Sequence, residues 1–165
     1  MKANPPGSVN GTATMIRKII SGGQTGVDRA ALDVALELGI ACGGWCPRGR
    51  RAEDGTIDPC YPLQETPREE YPQRTQWNVR DSDGTLVLKR GPARGGTGLT
   101  INIANRLGKP LLIVDLTEGQ DAAAVRTWAE ANGIGTLNVA GPRESENPGI
   151  YDAADQFLRA VLADG

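Results

Sequence analysis

The chain has 165 residues, 39% of them hydrophobic, which suits one domain with a single sizeable core. Its net charge of −2 and pI near 5.2 give no basic field that would attract nucleic acid or an anionic membrane surface. No apolar run approaches the roughly 20 residues that cross a bilayer, and no signal-peptide pattern opens the chain. We therefore expect a cytoplasmic protein with neither nucleic acid nor membrane as a partner.

The sequence contains three cysteines and no histidine. So small and odd a number does not form a disulfide framework, and Cys42, Cys46 and Cys60 are expected to be reduced thiols. A zinc site built on them would need a carboxylate or a partner chain to complete it, so no metal site is expected. The absence of histidine excludes every mechanism that depends on an imidazole base.

The N-terminal half predicts a tail followed by the start of a βαβ unit. Residues 1–14 lack apolar periodicity, which predicts a disordered tail ahead of one domain over residues 15–165. A β-branched run at residues 15–21 predicts the first strand. A glycine-rich turn at residues 22–26 follows, and apolar residues spaced by three and four predict a helix over residues 27–38.

A long polar segment separates the second predicted strand, residues 40–45, from the third. It lies between Cys46 and Asp83 and contains five prolines. A connection of this length is unusual in a compact domain, so the segment is expected to be functional or mobile. A short helix is predicted near residues 72–80, with a proline in its first turn.

Strands and helices alternate through the rest of the chain. Strands are predicted at residues 84–89, 111–116 and 136–140, and helices at residues 99–107, 121–131 and 151–162. The run at residues 111–116 is the most apolar of all, as in a buried parallel strand. The alternation predicts a single Rossmann-like α/β domain, a doubly wound parallel sheet with helices on both faces.

Two glycine-rich loops, at residues 22–26 and 91–98, follow the first and third predicted strands. In the common strand order 2-1-3-4-5 these loops face each other across the switch point, where parallel sheets bind ligands. Glycine lets the backbone approach a ligand and the next helix N-terminus attracts anions, so phosphate is the expected guest. Neither loop has the Walker or the Gly-x-Gly-x-x-Gly pattern, which disfavours a nucleoside triphosphatase and an ordinary dehydrogenase. The candidate binding residues here are Gly22, Gly23, Gln24, Thr25, Gly26, Gly95, Gly96, Thr97, Gly98 and Thr100.

Charged residues near these loops supply further candidates. Asp28, followed by Arg29, either favours the helix N-terminus or accepts hydrogen bonds from amino groups of a ligand ring. Arg50 belongs to a local basic cluster that either binds an oxyanion or is simply solvated. A third loop follows the fifth predicted strand at the same edge of the sheet and contributes Arg143, Glu144 and Ser145.

The run ISGGQTGVDRAALD at residues 20–33 resembles the molybdenum carrier family, the relatives of the molybdenum cofactor carrier proteins. Further blocks at residues 44–55, 74–85, 95–98 and 138–145 are similar to the same family, so the resemblance covers about residues 16–160. It implies that the protein carries molybdenum cofactor, a pterin with a terminal phosphate and a dithiolene-held molybdenum, as its cargo. It also implies a homodimer or homotetramer, with transient contact to cofactor-synthesis proteins or molybdoenzymes.

The wider superfamily also contains nucleotide phosphoribohydrolases, whose loop reads Gly-Gly-x-Gly-Thr-x-x-Glu. In this chain Leu99 and Asn102 stand where the threonine and the glutamate would be. Because an amide cannot take up a proton as a carboxylate does, the departure favours binding, protection and transfer of a ligand without chemistry. A nucleotide-binding or nucleotide-cleaving protein is the alternative.

Overall fold

The computed structural model describes residues 16–119 and 121–163. The predicted tail at residues 1–14, and Met15 at the start of the first predicted strand, lie outside the described residues. In chain order the elements are β1 (Lys18–Ile20), α1 (Val27–Leu38), β2 (Ala41–Gly43), β3 (Trp45–Cys46), β4 (Arg51–Ala52), β5 (Gly55–Thr56), β6 (Gln64–Glu65), α2 (Tyr71–Arg80), β7 (Gly84–Lys89), α3 (Gly95–Leu107), β8 (Leu111–Asp115), α4 (Ala122–Ala131), β9 (Thr136–Ala140) and α5 (Ile150–Leu162).

The central sheet has five parallel strands in the order β2-β1-β9-β7-β8. A parallel sheet is confirmed, but the expected order 2-1-3-4-5 is wrong, because β9 lies between β1 and β7 and pairs with both. When the strands are renumbered cyclically from β9, the order becomes 3-2-1-4-5, that of a doubly wound dinucleotide-binding sheet. The switch point of such a sheet lies between its first and fourth strands, which here are β9 and β7.

Helices cover both faces of the sheet, as predicted. α1, α4 and α5 bury the main hydrophobic core against one face. α2 and α3 lie on the other face, over a smaller cluster that contains Val79, Ile103 and Ala104. The predicted bounds of α1 are confirmed. Its apolar stripe is buried up to Ala35, and Leu38 at its end is exposed. Gly39 ends the helix in a left-handed conformation, and its N–H donates to the Ala35 carbonyl.

Three predicted elements need correction. β8 is an edge strand rather than a buried one, and its Ile113 side chain is 41% exposed. α3 begins at Gly95 rather than near Leu99, so residues 95–98 form the first turn of a helix and not a loop. The second strand ends at Gly43, after which β3 leaves the sheet and pairs with β6 instead.

The polar segment between β3 and α2 is built of short elements. Its residues 47–70, which we call the insertion, contain the antiparallel β4–β5 hairpin and β6. Ile57 is its buried anchor, with only 1% of its surface exposed. The insertion therefore packs on the domain as an ordered unit.

The cysteines differ in their exposure. Cys46 is buried, Cys42 is half-buried and Cys60 is exposed, and all three are free thiols. Burial raises the pKa of the Cys46 thiol. Across residues 16–119 and 121–163, no three His, Cys, Asp or Glu side chains are grouped so as to hold a metal ion. Over the same residues, no helix combines the length and the apolar character that crossing a membrane requires.

Substitution of two leucines, one buried and one exposed, tests whether β9 lies in the hydrophobic core. Leu137 lies fully buried in the central strand β9, whereas Leu107 at the end of α3 is 41% exposed. We predict that Leu137→Ala lowers the free energy of unfolding by about 2–5 kcal/mol, because it leaves a cavity. Leu107→Ala should change it by less than about 0.5 kcal/mol. Urea denaturation measures both values, and equal losses would contradict the assignment of β9 to the core.

Candidate functional site

Three segments meet at the carboxyl end of the sheet around one pocket. They are the β1 loop (residues 21–26), the β9 loop (residues 141–149) and the first turn of α3, which follows β7. This inner pocket has a volume of about 50 Å³. Seven of the sequence-predicted site residues line it, namely Gly22, Gln24, Asp28, Gly96, Thr97, Thr100 and Arg143.

A wider cleft adjoins the inner pocket. It has a volume of about 460 Å³ and shares Thr97 and Glu146 with the inner pocket. Arg90 and Arg94 also line this outer cleft. Small-molecule sites usually measure about 300–1,000 Å³, so the outer cleft has room for an organic ligand. The inner pocket has room only for a small polar group.

Gln24 carries the most informative side chain of the inner pocket. The residue is 4% exposed, and its Oε1 accepts hydrogen bonds from the backbone N–H of Thr25 at 3.1 Å and of Glu53 at 2.8 Å. These two donors fix which end of the amide is oxygen. Among the described residues, Gln24 Nε2 is the one buried side-chain nitrogen or oxygen without a hydrogen-bond partner. An unmet buried donor costs about 1–3 kcal/mol, so its presence in a pocket points to a ligand that supplies an acceptor.

A buried ion pair forms the floor of the pocket. Arg74 Nη1 lies 3.6 Å from Asp28 Oδ2 and donates a hydrogen bond to the Gly22 carbonyl at 2.8 Å. Asp28 Oδ2 also accepts from the Gln24 backbone N–H at 3.3 Å. Burial raises the pKa of Asp28 despite the opposing charge of Arg74, and burial lowers the pKa of Arg74. The pair fixes the β1 loop on α2 and leaves no net charge at the floor.

The N-terminus of α3 forms the opposite wall. Its N-cap residue, Arg94, is extended and provides no side-chain cap. The N–H groups of Thr97 and Gly98 donate to the Arg94 carbonyl, so those of Gly95 and Gly96 are the ones available to an anion. A Cβ added to Gly96 would meet no atom within 4 Å, which places open space over this turn. Thr97 is buried beside it, and Thr100 Oγ1 donates to the Gly96 carbonyl. The second glycine-rich segment thus presents helix N–H groups rather than a flexible loop.

Three arginine side chains surround one aromatic ring, and two of them line the inner pocket. The guanidinium of Arg143 lies 5.5 Å from the Tyr71 ring centre, and those of Arg74 and Arg51 lie 5.1 Å and 5.4 Å from it. Stacking on one aromatic ring holds these cations in place. Arg143 Nε is 3.9 Å from Glu146 Oε2, a loose pair whose carboxylate side chain is half-exposed.

Two predicted glycines serve packing between segments instead of lining the pocket. Gly23 has a φ of +79°, and a Cβ on it would lie 2.6 Å from Leu63 Cδ1 of the insertion. Gly26 has a φ of +80°, and a Cβ there would lie 2.3 Å from the Pro142 carbonyl oxygen. Both positions need a left-handed backbone and a close approach, which only glycine allows without strain. Gly95 and Gly98 belong to the first turn of α3 but do not line the pocket.

Four predicted polar residues have protein partners instead. Arg29 donates twice to the Gly23 carbonyl and pairs with Asp54 at 3.0 Å. Glu144 accepts from the N–H groups of Gly149 and Tyr151 and so caps α5. Thr25 and Ser145 donate to Glu53 and hold neighbouring loops together.

The proposed oxyanion role of Arg50 is not supported by its position. Its guanidinium donates to four backbone carbonyls of the insertion, those of Ile57, Asp58, Tyr61 and Leu63, at 2.8–3.3 Å. These bonds satisfy the planar donor fork within the fold, and Arg50 does not line the inner pocket or the outer cleft. Arg50 therefore shapes the insertion.

Sequence reasoning missed several residues that line the pocket. Arg74, Thr75 and Asn78 come from α2, and Asn138 comes from β9. The signal for the first three was a polar stripe on α2 with helical spacing, since these residues are buried although they are polar. Their burial depends on α2 packing over the switch point, which the spacing alone does not reveal.

The buried pair gives a testable expectation. Arg74→Met should lower the free energy of unfolding by about 3–5 kcal/mol at neutral pH, because Asp28 is left buried and unpaired. Part of the lost stability should be recovered on acidification. Because burial raises the pKa of Asp28, its ionised carboxylate destabilises the fold at pH values above that pKa, and protonation removes the buried charge. Adding Asp28→Asn should recover about 2 kcal/mol. Denaturation of the four chains measures this coupling, and additive losses would contradict it.

Comparison with known proteins identifies the fold. The Circularly permutated YpsA SLOG family matches residues 19–162. A crystal structure described as a putative molybdenum carrier protein, from Syntrophus aciditrophicus SB, is 45% identical, with a TM-score of 0.89. The match covers 90% of this chain and 96% of that chain. Comparison with curated proteins gave no match.

The family description agrees with the strand order. A circular permutation that moves the first βα unit of a 3-2-1-4-5 sheet to the end of the chain produces the order β2-β1-β9-β7-β8 found here. The family match spans β9 and α5 together with most of the other elements. The chain therefore belongs to the Circularly permutated YpsA SLOG family and has its Rossmann-like α/β fold.

Proposed function

We propose that the protein binds molybdenum cofactor as cargo, protects it and transfers it. The terminal phosphate of the cofactor occupies the inner pocket, and its pterin and molybdenum-bearing end extend into the outer cleft. The observation that carries this proposal is Gln24 Nε2, a buried donor without a protein partner in a pocket formed by three converging segments. A phosphate oxygen is an acceptor of the kind this nitrogen lacks.

The phosphate position follows from the donors around the pocket. Gln24, the first turn of α3 and Arg143 all line it. Neutral amide and helix N–H donors bind phosphate together with one guanidinium. The carboxylate of Asp28 does not repel the phosphate, because it is already paired with Arg74 and accepts a hydrogen bond from the Gln24 N–H.

The body of the ligand follows from the outer cleft. A pterin presents ring N–H groups, and Glu146 at the junction of pocket and cleft offers a half-exposed carboxylate to accept them. Arg94 lines the same cleft and suits the oxo groups of the molybdenum centre. Arg90 lines it too, but its Nε and Nη2 already donate to Asn147 Oδ1 and the Pro148 carbonyl. Arg94, rather than Arg50, would therefore face the metal-bearing end.

Carriage without chemistry is supported by the same geometry. Asn102, which stands where phosphoribohydrolases have their glutamate, lies exposed on α3 and does not line the inner pocket. The relative with 45% identity is named for carriage of molybdenum. As part of this proposal, the protein acts in the cytoplasm as a homodimer or homotetramer that meets cofactor-synthesis proteins or molybdoenzymes transiently.

Replacement of the Gln24 amide tests the proposal. Gln24→Met keeps the length of the side chain but removes the amide, both its Nε2 donor and the Oε1 that accepts from Thr25 and Glu53. It should weaken the binding of molybdenum cofactor by roughly 10- to 150-fold, the value of a hydrogen bond to a charged group. Gln76→Met on the exposed side of α2 is the matched control and should leave the affinity unchanged. Anaerobic titration with cofactor released from a purified molybdoenzyme measures both.

Two results would contradict this function. One is equal affinity of the wild type and Gln24→Met for the cofactor. The other is tighter binding of a nucleoside monophosphate than of the cofactor, which would favour the nucleotide-binding alternative. Release of free base from that nucleotide would establish a cleaving enzyme.

A further inference from the structure

The β4–β5 hairpin of the insertion ends in two acidic residues that lie against the ligand site. Glu53 and Asp54 form its turn; Glu53 contacts the β1 loop, and Asp54 pairs with Arg29 of α1. The hairpin is held from below by Ile57, whose buried side chain lies beside Gly23, and by the four carbonyl contacts of Arg50. The turn is therefore presented on a fixed support.

The backbone of Glu53 sets the orientation of the Gln24 amide. The Glu53 N–H donates to Gln24 Oε1 at 2.8 Å, and this is the shorter of the two bonds that this oxygen accepts. The other donor, the N–H of Thr25, belongs to the neighbouring residue of the same loop. Without the Glu53 bond, only a local contact would hold the Oε1 end of the amide, and with it the position of Nε2.

The carboxylate of Glu53 joins two of the three segments that form the site. It accepts from Thr25 Oγ1 in the β1 loop, and from Ser145 Oγ at 2.5 Å and Ser145 N–H at 3.2 Å in the β9 loop. Thr25 Oγ1 in turn accepts from the Glu144 N–H at 3.0 Å. Desolvation by burial raises the pKa of Glu53, but the hydrogen bonds from Ser145 and Thr25 outweigh it and lower the pKa below its ordinary value, so these bonds favour the ionised carboxylate.

We infer that Glu53 is a positioning residue for the ligand site: its N–H fixes the Gln24 amide, and its carboxylate holds the β1 and β9 loops at the spacing the ligand requires. The part of this inference that concerns ligand affinity rests on the proposed function. The part that concerns the orientation of the Gln24 amide does not. The insertion thereby completes the site without lining the pocket. Neither the sheet nor the hydrophobic core requires so long an insertion, and support of the ligand site accounts for it.

Two substitutions separate the backbone contribution from that of the carboxylate. Glu53→Pro removes both the N–H and the carboxylate, and proline suits this turn position because the φ of Glu53 is not positive. Glu53→Ala removes the carboxylate alone. Asp54→Ala is the matched control, since Asp54 occupies the same turn and pairs with Arg29 but contacts neither Gln24 nor the β9 loop.

The first measurement needs no ligand. Nitrogen relaxation of the Gln24 side-chain amide should show a rigid group in the wild type and in Asp54→Ala. In Glu53→Pro its order parameter should fall below about 0.6, the range of flexible groups. In Glu53→Ala the amide protons of Glu144 and Ser145 should exchange with solvent faster, by tenfold or more. A Gln24 amide that stays rigid in Glu53→Pro, or unchanged exchange in Glu53→Ala, would overturn the inference.

The second measurement uses molybdenum cofactor as the probe. Glu53→Pro should bind it at least tenfold more weakly than the wild type. In the double variant with Gln24→Met, the combined loss should be smaller than the product of the two single losses, because part of the Glu53 effect acts through the Gln24 amide. Losses that multiply fully would overturn the positioning role. If the wild type binds no cofactor while the Gln24 amide still becomes mobile in Glu53→Pro, the proposed function fails and the positioning role stands.

Discussion

The pairing of β9 with both β1 and β7 is the constraint on which the site depends. β9 lies beside β1 from Thr136 to Asn138 and beside β7 from Leu137 to Ala140. Its following loop is therefore delivered between the β1 loop and the start of α3. Gly26 accommodates this arrangement, because its missing Cβ leaves room for the Pro142 carbonyl, which accepts a hydrogen bond from the Val27 N–H at 3.2 Å.

In this arrangement, some residues line the pocket and others hold the loops around it in place. Among the described residues, Gln24 Nε2 is the buried side-chain atom left without a protein partner, and its residue lines the pocket. Residues a step further out, such as Arg29, Glu53 and Glu144, are hydrogen-bonded to neighbouring loops. Preorganisation of this kind places the entropic cost of ordering the loops in folding rather than in ligand binding.

Local patterns predicted the helices well and the strand order poorly. The bounds of α1 follow from its apolar stripe and from Gly39, both visible in a short window. The position of β9 depends on how two distant strands pair, and the residues of β9 look the same in either order. β8 is apolar enough for a central position, yet it lies at the edge because no later strand pairs with it.

At the site, the types of residue in the sequence predicted where the pocket lies better than they predicted what each residue does there. The glycine-rich segments did mark the right edge of the sheet, and Gln24, Thr97 and Arg143 do line the pocket. Arg50 lies away from the pocket and donates to backbone carbonyls of the insertion. A guanidinium can bind carbonyls as well as an anion, and sequence does not distinguish the two. Arg74 was missed because a cation on a polar helix is usually solvated, whereas here Asp28 and the Gly22 carbonyl accommodate it in the interior.

The central claim is that the unpartnered Gln24 amide binds the ligand's phosphate. A crystal structure of the chain with molybdenum cofactor tests it most directly, since molybdenum can be located by its anomalous scattering. The account predicts a phosphate oxygen about 2.7–3.2 Å from Gln24 Nε2, beside the first turn of α3, with molybdenum in the outer cleft. A cofactor bound elsewhere, such as the groove lined by Tyr61 and Tyr151, with Gln24 Nε2 still lacking an acceptor, would contradict it.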